Sequence, residues 1–551
     1  MNKAPNANPQ VIAGIGLPVD RSKLLLWFRL GVIAYAIYFY FTVKVQTVEV
    51  FLALGLLAFL SLLPSYLWCA GKAHGLPVVP VFALGMFPTY ILPIQTDSKL
   101  LAGYAPSLQF KALLLASALV AILTVIWQQF CNDPKSRVAR LRMIDLGKST
   151  WLLVTFMVLG LLFQILGEIF WRFGGGAFSL LRGYTGNGAI LALFVFSFEL
   201  GQGKLRPVLR WLLFGVVGMQ IVVDSVSFIL AGTLLKLGVI GAGYTLGSQK
   251  IPWKSGVAAV LILTVLHAGK ADMRQKYWIE GVQGVSDFKV WDYPGILAEW
   301  VEEGLQTLST GKTMSLDEQA SAAERNAMVA VFLKVLDTTP AKKPYLGGET
   351  YESIPTLLIP RILYKEKGIA HIANWILGYY YEFLTLEQLG HTSIGFDLMI
   401  EAYANFGIFG ILAMAIFLGF FYGWICRLSI GVPLLSLRFL LAVVVLAGTL
   451  GSNNTAGVFI TTLWQSFLAL MTLNLFLMKT LPNPLYAKAD PSQKDAKGSL
   501  KNIGYRISDI GEDSKTGAHP SSIPETPSAA QPETAPVKHE RPKRFIYGDK
   551  K

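Results

Sequence analysis

From Val50 to Cys69 the chain runs for 20 residues without one Asp, Glu, Lys or Arg. A helix crossing the hydrocarbon core of a bilayer needs about 17–25 such residues. Comparable runs recur from Leu24 almost to Lys479, and we read about twelve spanning helices from them. The expected spans are Leu24–Val43, Glu49–Cys69, Val78–Ile94, Leu108–Phe130, Trp151–Phe170, Ala189–Gly201, Trp211–Val223, Ser225–Leu246, Ser255–Ala268, Phe396–Cys426, Leu434–Gly451 and Gly457–Met478. Lipid offers no hydrogen-bond partner to an open backbone, so such runs fold as helices. The fold class expected is all-α, a polytopic integral membrane protein with one large extracytoplasmic loop containing amphipathic helices. Composition agrees, with 53% of the 551 residues hydrophobic and 15% charged. Met1–Asp20 is polar, Gly/Pro-punctuated and lacks a cleavable signal pattern, so the first helix is expected to stay as an anchor.

The net charge of +13 does not point to nucleic acid, because the basic residues gather in short loops between the runs and in the C-terminal tail. With the N-terminus inside, "KSRVARLR", "GKLRPVLR", "QKIPWK" and "RLSIGVPLLSLR" all face the cytoplasm, as the positive-inside rule requires. The resulting order is a cytoplasmic N-terminus (1–23), nine helices (24–268), an extracytoplasmic loop (269–395), three helices (396–481) and a cytoplasmic tail (482–551). The tail, rich in Pro, Ser and charge, is expected to be disordered. Cys69, Cys131 and Cys426 fall at cytoplasmic helix ends and form neither a disulfide framework nor a metal pattern, so no metal or cofactor is expected.

Within the outer loop, "WDYPGILAEWVEEGLQTL" places Leu297, Trp300, Val301, Leu305 and Leu308 on one helical face, a candidate for lying along the bilayer surface. A second helix is expected from a capping box, Ser315 to Glu318, through Met328, Val331, Phe332, Val335 and Leu336, with Arg325 beside the stripe. In the span that follows the loop, Asp397, Glu401 and Asn405 recur at i, i+4 and i+8 and share one face. An acidic pair near a helix N-terminus complements the macrodipole. Two carboxylates one turn apart also raise each other's proton affinity, which can tune one as a general base. "FGIFG" below them supplies Gly407 and Gly410 for close packing.

About thirty residues earlier, "LIPRILYKEKG" presents Arg361, Lys365 and Lys367 after the rigid Pro360. These cations suit either lipid headgroups or a bidentate phosphate contact by the guanidinium. "HAGKADMRQKYW" brings His267, Lys270, Arg274 and Lys276 to the outer surface. With Arg361 and Arg325 they are candidates for an external anion site, or for separate interfacial anchors. Arg29, Glu199 and Lys236 lie deepest in the spans, with Glu168, Arg172 and Asp224 nearer outer ends, and Arg29–Glu199 is an expected pair. His391, ahead of the acidic helix, is a loop hydrogen-bonder or a catalyst. "FGGGAF" lacks the Lys-Ser/Thr of a nucleotide loop.

In "ERNAMVAVFLKVLDTTP", "YLGGETY", "LIPRILYKEK" and "HTSIGFDLMIEAYANFGIFG" the chain resembles the Wzy-type polysaccharide polymerases, which join oligosaccharide repeat units carried on a polyprenyl diphosphate. The close part of the resemblance is the outer loop and its closing helix. This chain has Lys365 and Gly368 where that family commonly has prolines. The resemblance implies a bacterial inner-membrane glycosyltransferase, metal-independent and inverting, acting on the outer face on lipid-linked donor and acceptor. Arg361 and Lys367 would hold the donor diphosphate and Glu401 would orient or deprotonate the acceptor hydroxyl. Lys365, Arg274, Lys270, Arg325 and Asn405 are further substrate-binding candidates, and Asp397 and His391 further catalytic ones. Expected partners are lipid-linked oligosaccharides, membrane lipids and other polysaccharide export and chain-length proteins. A ligase of the same fold type, or a carrier for lipid-linked glycan, are the alternatives.

Overall fold

The computed structural model describes residues 21–45, 47–134, 138–226, 228, 230–279, 290–310, 327–359, 363–364, 367–389, 394–449 and 454–483. All of them belong to one unit, Met1–Ser508, while a second, Asp509–Lys551, lies outside the described residues. The helices are α1 (Arg21–Thr42), α2 (Val48–Cys69), α3 (Val78–Leu84), α4 (Leu92–Gln95), α5 (Pro106–Cys131), α6 (Leu146–Ile165), α7 (Gly167–Gly201), α8 (Pro207–Val226), α9 (Ala231–Ser248), α10 (Trp253–Ala268), α11 (Lys270–Arg274) and α12 (Tyr293–Ser309). They continue as α13 (Met328–Thr338), α14 (Ile354–Leu357), α15 (Ile372–Tyr380), α16 (Leu398–Leu428), α17 (Leu437–Thr449) and α18 (Ala456–Leu477). Seven of the described helical segments are long and apolar enough to cross a membrane by length and composition, and α6, α10 and α17 contain shorter apolar stretches. No residue of α1 is fully buried: Tyr35 and Phe39 pack against the core, and most of its other apolar side chains are left to lipid.

Two expectations are revised, and on one further helix only part of the expected apolar stripe is buried. The segment around "FGGGAF" is helical throughout, so Gly167–Gly201 is one element where a break between two spans was expected. Glycine weakens a helix in water, but without water an open backbone costs more than that weakness. On α12 the buried residues are Ile296, Trp300 and Gly304, while Leu305 and Leu308 are exposed. The helix rotates so that Gly304 can meet α10, where a Cβ would stand 2.1 Å from the Val265 carbonyl oxygen. Close approach of backbones at a glycine outweighs burial of two leucines that membrane can cover. Finally, no ion pair joins Arg29 to Glu199 among the described residues. Lys236 pairs with Asp224 at 2.7 Å, and Gln164 donates to the same carboxylate.

One element departs from the all-α expectation. β1 (Arg140–Ile144) pairs antiparallel with β2 (Met478–Pro482), in the register Arg140↔Pro482 to Ile144↔Met478. Both are extended segments emerging from helices at one end of the bundle, and each satisfies the backbone of the other. Arg142 reinforces the ribbon through the carbonyls of Asn474 at 2.8 Å and Met478 at 3.1 Å.

The core is formed chiefly by α2, α3, α5, α6, α7 and α16, and the loop helix α13 folds back into it. Of its expected stripe Met328, Phe332, Val335 and Leu336 are buried and Val331 partly so, with Val329 and Leu333 buried as well. The capping box at Ser315 lies outside the described residues. A separate cluster of Phe228, Leu230, Leu266, Met273, Tyr277, Ile296 and Trp300 joins α10, α11 and α12.

Candidate functional site

The acidic helix is not continuous. At Gly407 the backbone takes φ +62° and ψ −142°, which breaks α16 into an upper part, Leu398 to Phe406, and a lower part that continues to Leu428. Only glycine enters that conformation without strain. A Cβ there would also stand 2.6 Å from the Tyr345 hydroxyl. The break frees carbonyls at the end of the upper part, and these must be satisfied.

The "YLGGETY" loop satisfies them. Leu346 N donates to Ala404 O at 3.0 Å and Gly347 N to Asn405 O at 3.1 Å. Asn405 completes the clamp: its Oδ1 accepts from Gly348 N at 3.0 Å, and its Nδ2 donates to Thr350 Oγ1 and Glu401 O, each at 2.8 Å. Tyr351 stacks on Phe406, with ring centroids 6.1 Å apart. Two motifs about sixty positions apart in sequence thus form one structure, and Asn405 is the part that locks them together.

Asp397, Glu401 and Asn405 are all buried on one face, as their spacing predicts. Asp397 is the N-cap of α16, accepting from Ile400 N at 2.7 Å, and Tyr90 donates its hydroxyl to the same carboxylate. Tyr90 lies in a π-helical turn, Phe87–Ile91, between α3 and α4. A small cavity beside this contact is lined by Thr89, Tyr90, Asp397, Met399 and neighbouring apolar side chains.

Glu401 is held differently. Its Oε2 accepts the Ala456 amide at 2.5 Å, so this carboxylate closes the N-terminus of α18 from another helix. The positive end of the α18 dipole stabilises its charge. Its Oε1 is buried with the Thr350 hydroxyl beside it. A buried carboxylate held by one amide and one hydroxyl is costly, so its retention at the meeting of four segments calls for an explanation. The remaining wall is α15, where Thr455 Oγ1 donates to Asn374 Oδ1 at 2.7 Å and Asn374 Nδ2 to Ile394 O at 3.0 Å. At the loop, burial and the nearby Glu401 charge push the Tyr351 phenol up, and burial with Glu352 pushes Glu349 up.

Among the described residues the candidate cations are dispersed. Lys367 Nζ donates to the carbonyls of Leu357 and Ile359, the latter at 2.8 Å, closing the turn that ends α14. Arg274 directs its Nε and Nη2 to Phe228 O at 3.2 and 2.8 Å, and Lys276 pairs with Glu299. Lys270 and Arg274 belong to α11, whose packing neighbours are α10 and α12, not the upper part of α16. Arg361, Lys365, Arg325 and His391 lie outside the described residues. Tyr90, Thr350 and Ala456 were not among the residues singled out from sequence. Their roles depend on tertiary contacts across 307, 55 and 55 positions, which no local pattern reports.

A domain of unknown function, DUF8712, matches residues 307–430. That stretch encloses the "YLGGETY" loop, the Lys367 brace and all of α16. The chain matches no curated protein and no solved structure.

Proposed function

We propose that the protein is a membrane glycosyltransferase that extends a lipid-linked oligosaccharide on the extracytoplasmic face, with Glu401 as the general base. The observation that carries this reading is the asymmetric holding of the Glu401 carboxylate. Oε2 is anchored by the Ala456 amide, while Oε1 has only the Thr350 hydroxyl beside it and keeps a lone pair. A base needs a fixed orientation and a free lone pair, and this arrangement supplies both. The acceptor hydroxyl would lose its proton to Oε1 as its oxygen attacks the anomeric carbon. The bond to the leaving lipid diphosphate breaks with inversion, and the negative charge passes to that diphosphate. Fixed cations near the leaving group stabilise it more in the transition state than in the ground state. Arg361 and Lys367 are proposed for that role from the resemblance, Lys367 once it leaves its carbonyls, with Lys365 as a further cation beside them.

The test is incubation of purified protein with a polyprenyl-diphosphate oligosaccharide, followed by sizing of the lipid-linked products. Stepwise longer products are expected. Transfer onto an unrelated lipid acceptor alone would indicate the ligase alternative. A carrier is favoured by one feature, the broken helix at Gly407, because half-helices of this kind line substrate sites in transporters. It predicts movement of labelled lipid-linked glycan across vesicles with no change in glycan length.

A further inference from the structure

Lys111 lies in the second turn of α5, near the end of the bundle that carries Glu401. A lysine near the end of a spanning helix ordinarily extends its ammonium to water along the membrane surface. This one turns inward. Its Nζ is 3.3 Å from the hydroxyl of Tyr403 and 5.7 Å from the centroid of that ring, and Tyr403 is buried. Tyr403 is itself committed, donating to Thr339 O at 3.3 Å. An ammonium carries three donor hydrogens, and the ring face with one long contact to the phenol oxygen leaves donors unused.

Among the described residues no carboxylate pairs with Lys111. Asp337 of α13 pairs with Lys342 and Glu382 beyond α15 with Lys343, while Glu349 and Glu352 of the Tyr345 loop lie beside each other. Tyr345 packs edge-on against Tyr403 at 5.9 Å, lies within reach of the Lys111 charge and remains 38% exposed, so the position has an open side. Charges within spanning segments are costly and mark a partner or a pathway.

We propose that Lys111, with Tyr345 at its rim, is an anion-binding position that takes the phosphate of a lipid at the outer end of α5. The ligand class is a phosphoryl group on an apolar chain, either a prenyl diphosphate or an anionic phospholipid headgroup. The site stands whether or not the chain transfers glycan, since binding and product formation are read separately.

The experiment uses wild-type protein in phosphatidylcholine nanodiscs and measures acylation of Lys111 by an amine-reactive reagent, with peptide mass spectrometry. Farnesyl diphosphate and phosphatidylglycerol are the two added probes. Protection by farnesyl diphosphate alone assigns the site to a prenyl-diphosphate substrate, and protection by both assigns it to phosphate-bearing lipids in general. Unchanged acylation with both overturns the proposal. Lys111→Gln is expected to weaken farnesyl diphosphate binding at least tenfold while Lys111→Arg retains it, and equal binding by both variants would likewise overturn it.

Discussion

Asn405 and Asp397 show how one polar stripe divides into distinct tasks. Every hydrogen-bonding group of the Asn405 side chain is engaged, so Asn405→Ala strands the Gly348 amide and removes the partner of Thr350. Leaving a buried donor unmet costs about 1–3 kcal/mol, and thermal unfolding in detergent should fall accordingly. An unchanged transition would mean that the "YLGGETY" loop docks without Asn405. Asp397→Asn keeps an oxygen for Ile400 N and can donate its amide to the Tyr90 oxygen once that hydroxyl turns away, so it should cost little, whereas Asp397→Ala should lose about 0.5–2 kcal/mol with the cap. The shared face of Asp397, Glu401 and Asn405 was legible because i, i+4 spacing dictates it. The division of labour was not, because it depends on Tyr90, Gly348 and Ala456, whose approach is a tertiary event. Lys367 illustrates the same limit: its sequence neighbours advertise an anion site, but the folded loop places backbone carbonyls nearer.

At the scale of the element, the break in α16 organises everything around it. Glycines are common in spanning helices, so "FGIFG" reads from sequence as a packing surface, and nothing local distinguishes Gly407 from Gly410. Their environments do. Gly407 takes a positive φ, and a Cβ on Gly410 would stand 2.1 Å from the Ala402 carbonyl oxygen, where the lower part passes beneath the upper. Gly407→Ala should destabilise by more than about 1 kcal/mol and loosen the loop, observable as faster amide exchange at Leu346 and Gly347. Retained protection there would show that the loop is held by its side-chain contacts alone. The pairing of α7 with α9 has a comparable basis, since a Cβ on Gly247 would stand 2.1 Å from the Phe198 carbonyl oxygen. Here the sequence supplied the composition of the helices but not the boundaries, because glycine-rich stretches are helix-breaking in water and tolerated in lipid.

For the whole molecule, the alternation of spans has a geometric counterpart. His74 N meets Cys131 O, Leu76 N meets Ser429 Oγ, and β1 meets β2 through segments expected on the cytoplasmic side. Tyr90, Asp397, Glu401 and Ala456 meet through segments expected outside. The three native cysteines are buried, so cysteines introduced at Thr310 and Thr480 can be read without background. An impermeant thiol reagent is expected to label Thr310→Cys and not Thr480→Cys from the outside. Labelling of both from the same side would remove the proposed site from the compartment the function needs. The central claim concerns the proton that leaves the acceptor. Glu401→Gln retains shape and an oxygen for the Ala456 amide but cannot take that proton. With purified protein and a polyprenyl-diphosphate oligosaccharide, the account predicts an elongation rate lower by roughly 10²–10⁴-fold, with unfolding temperature and substrate binding unchanged. Elongation by Glu401→Gln at the wild-type rate would contradict it and leave Glu401 as the inter-helix cap of α18.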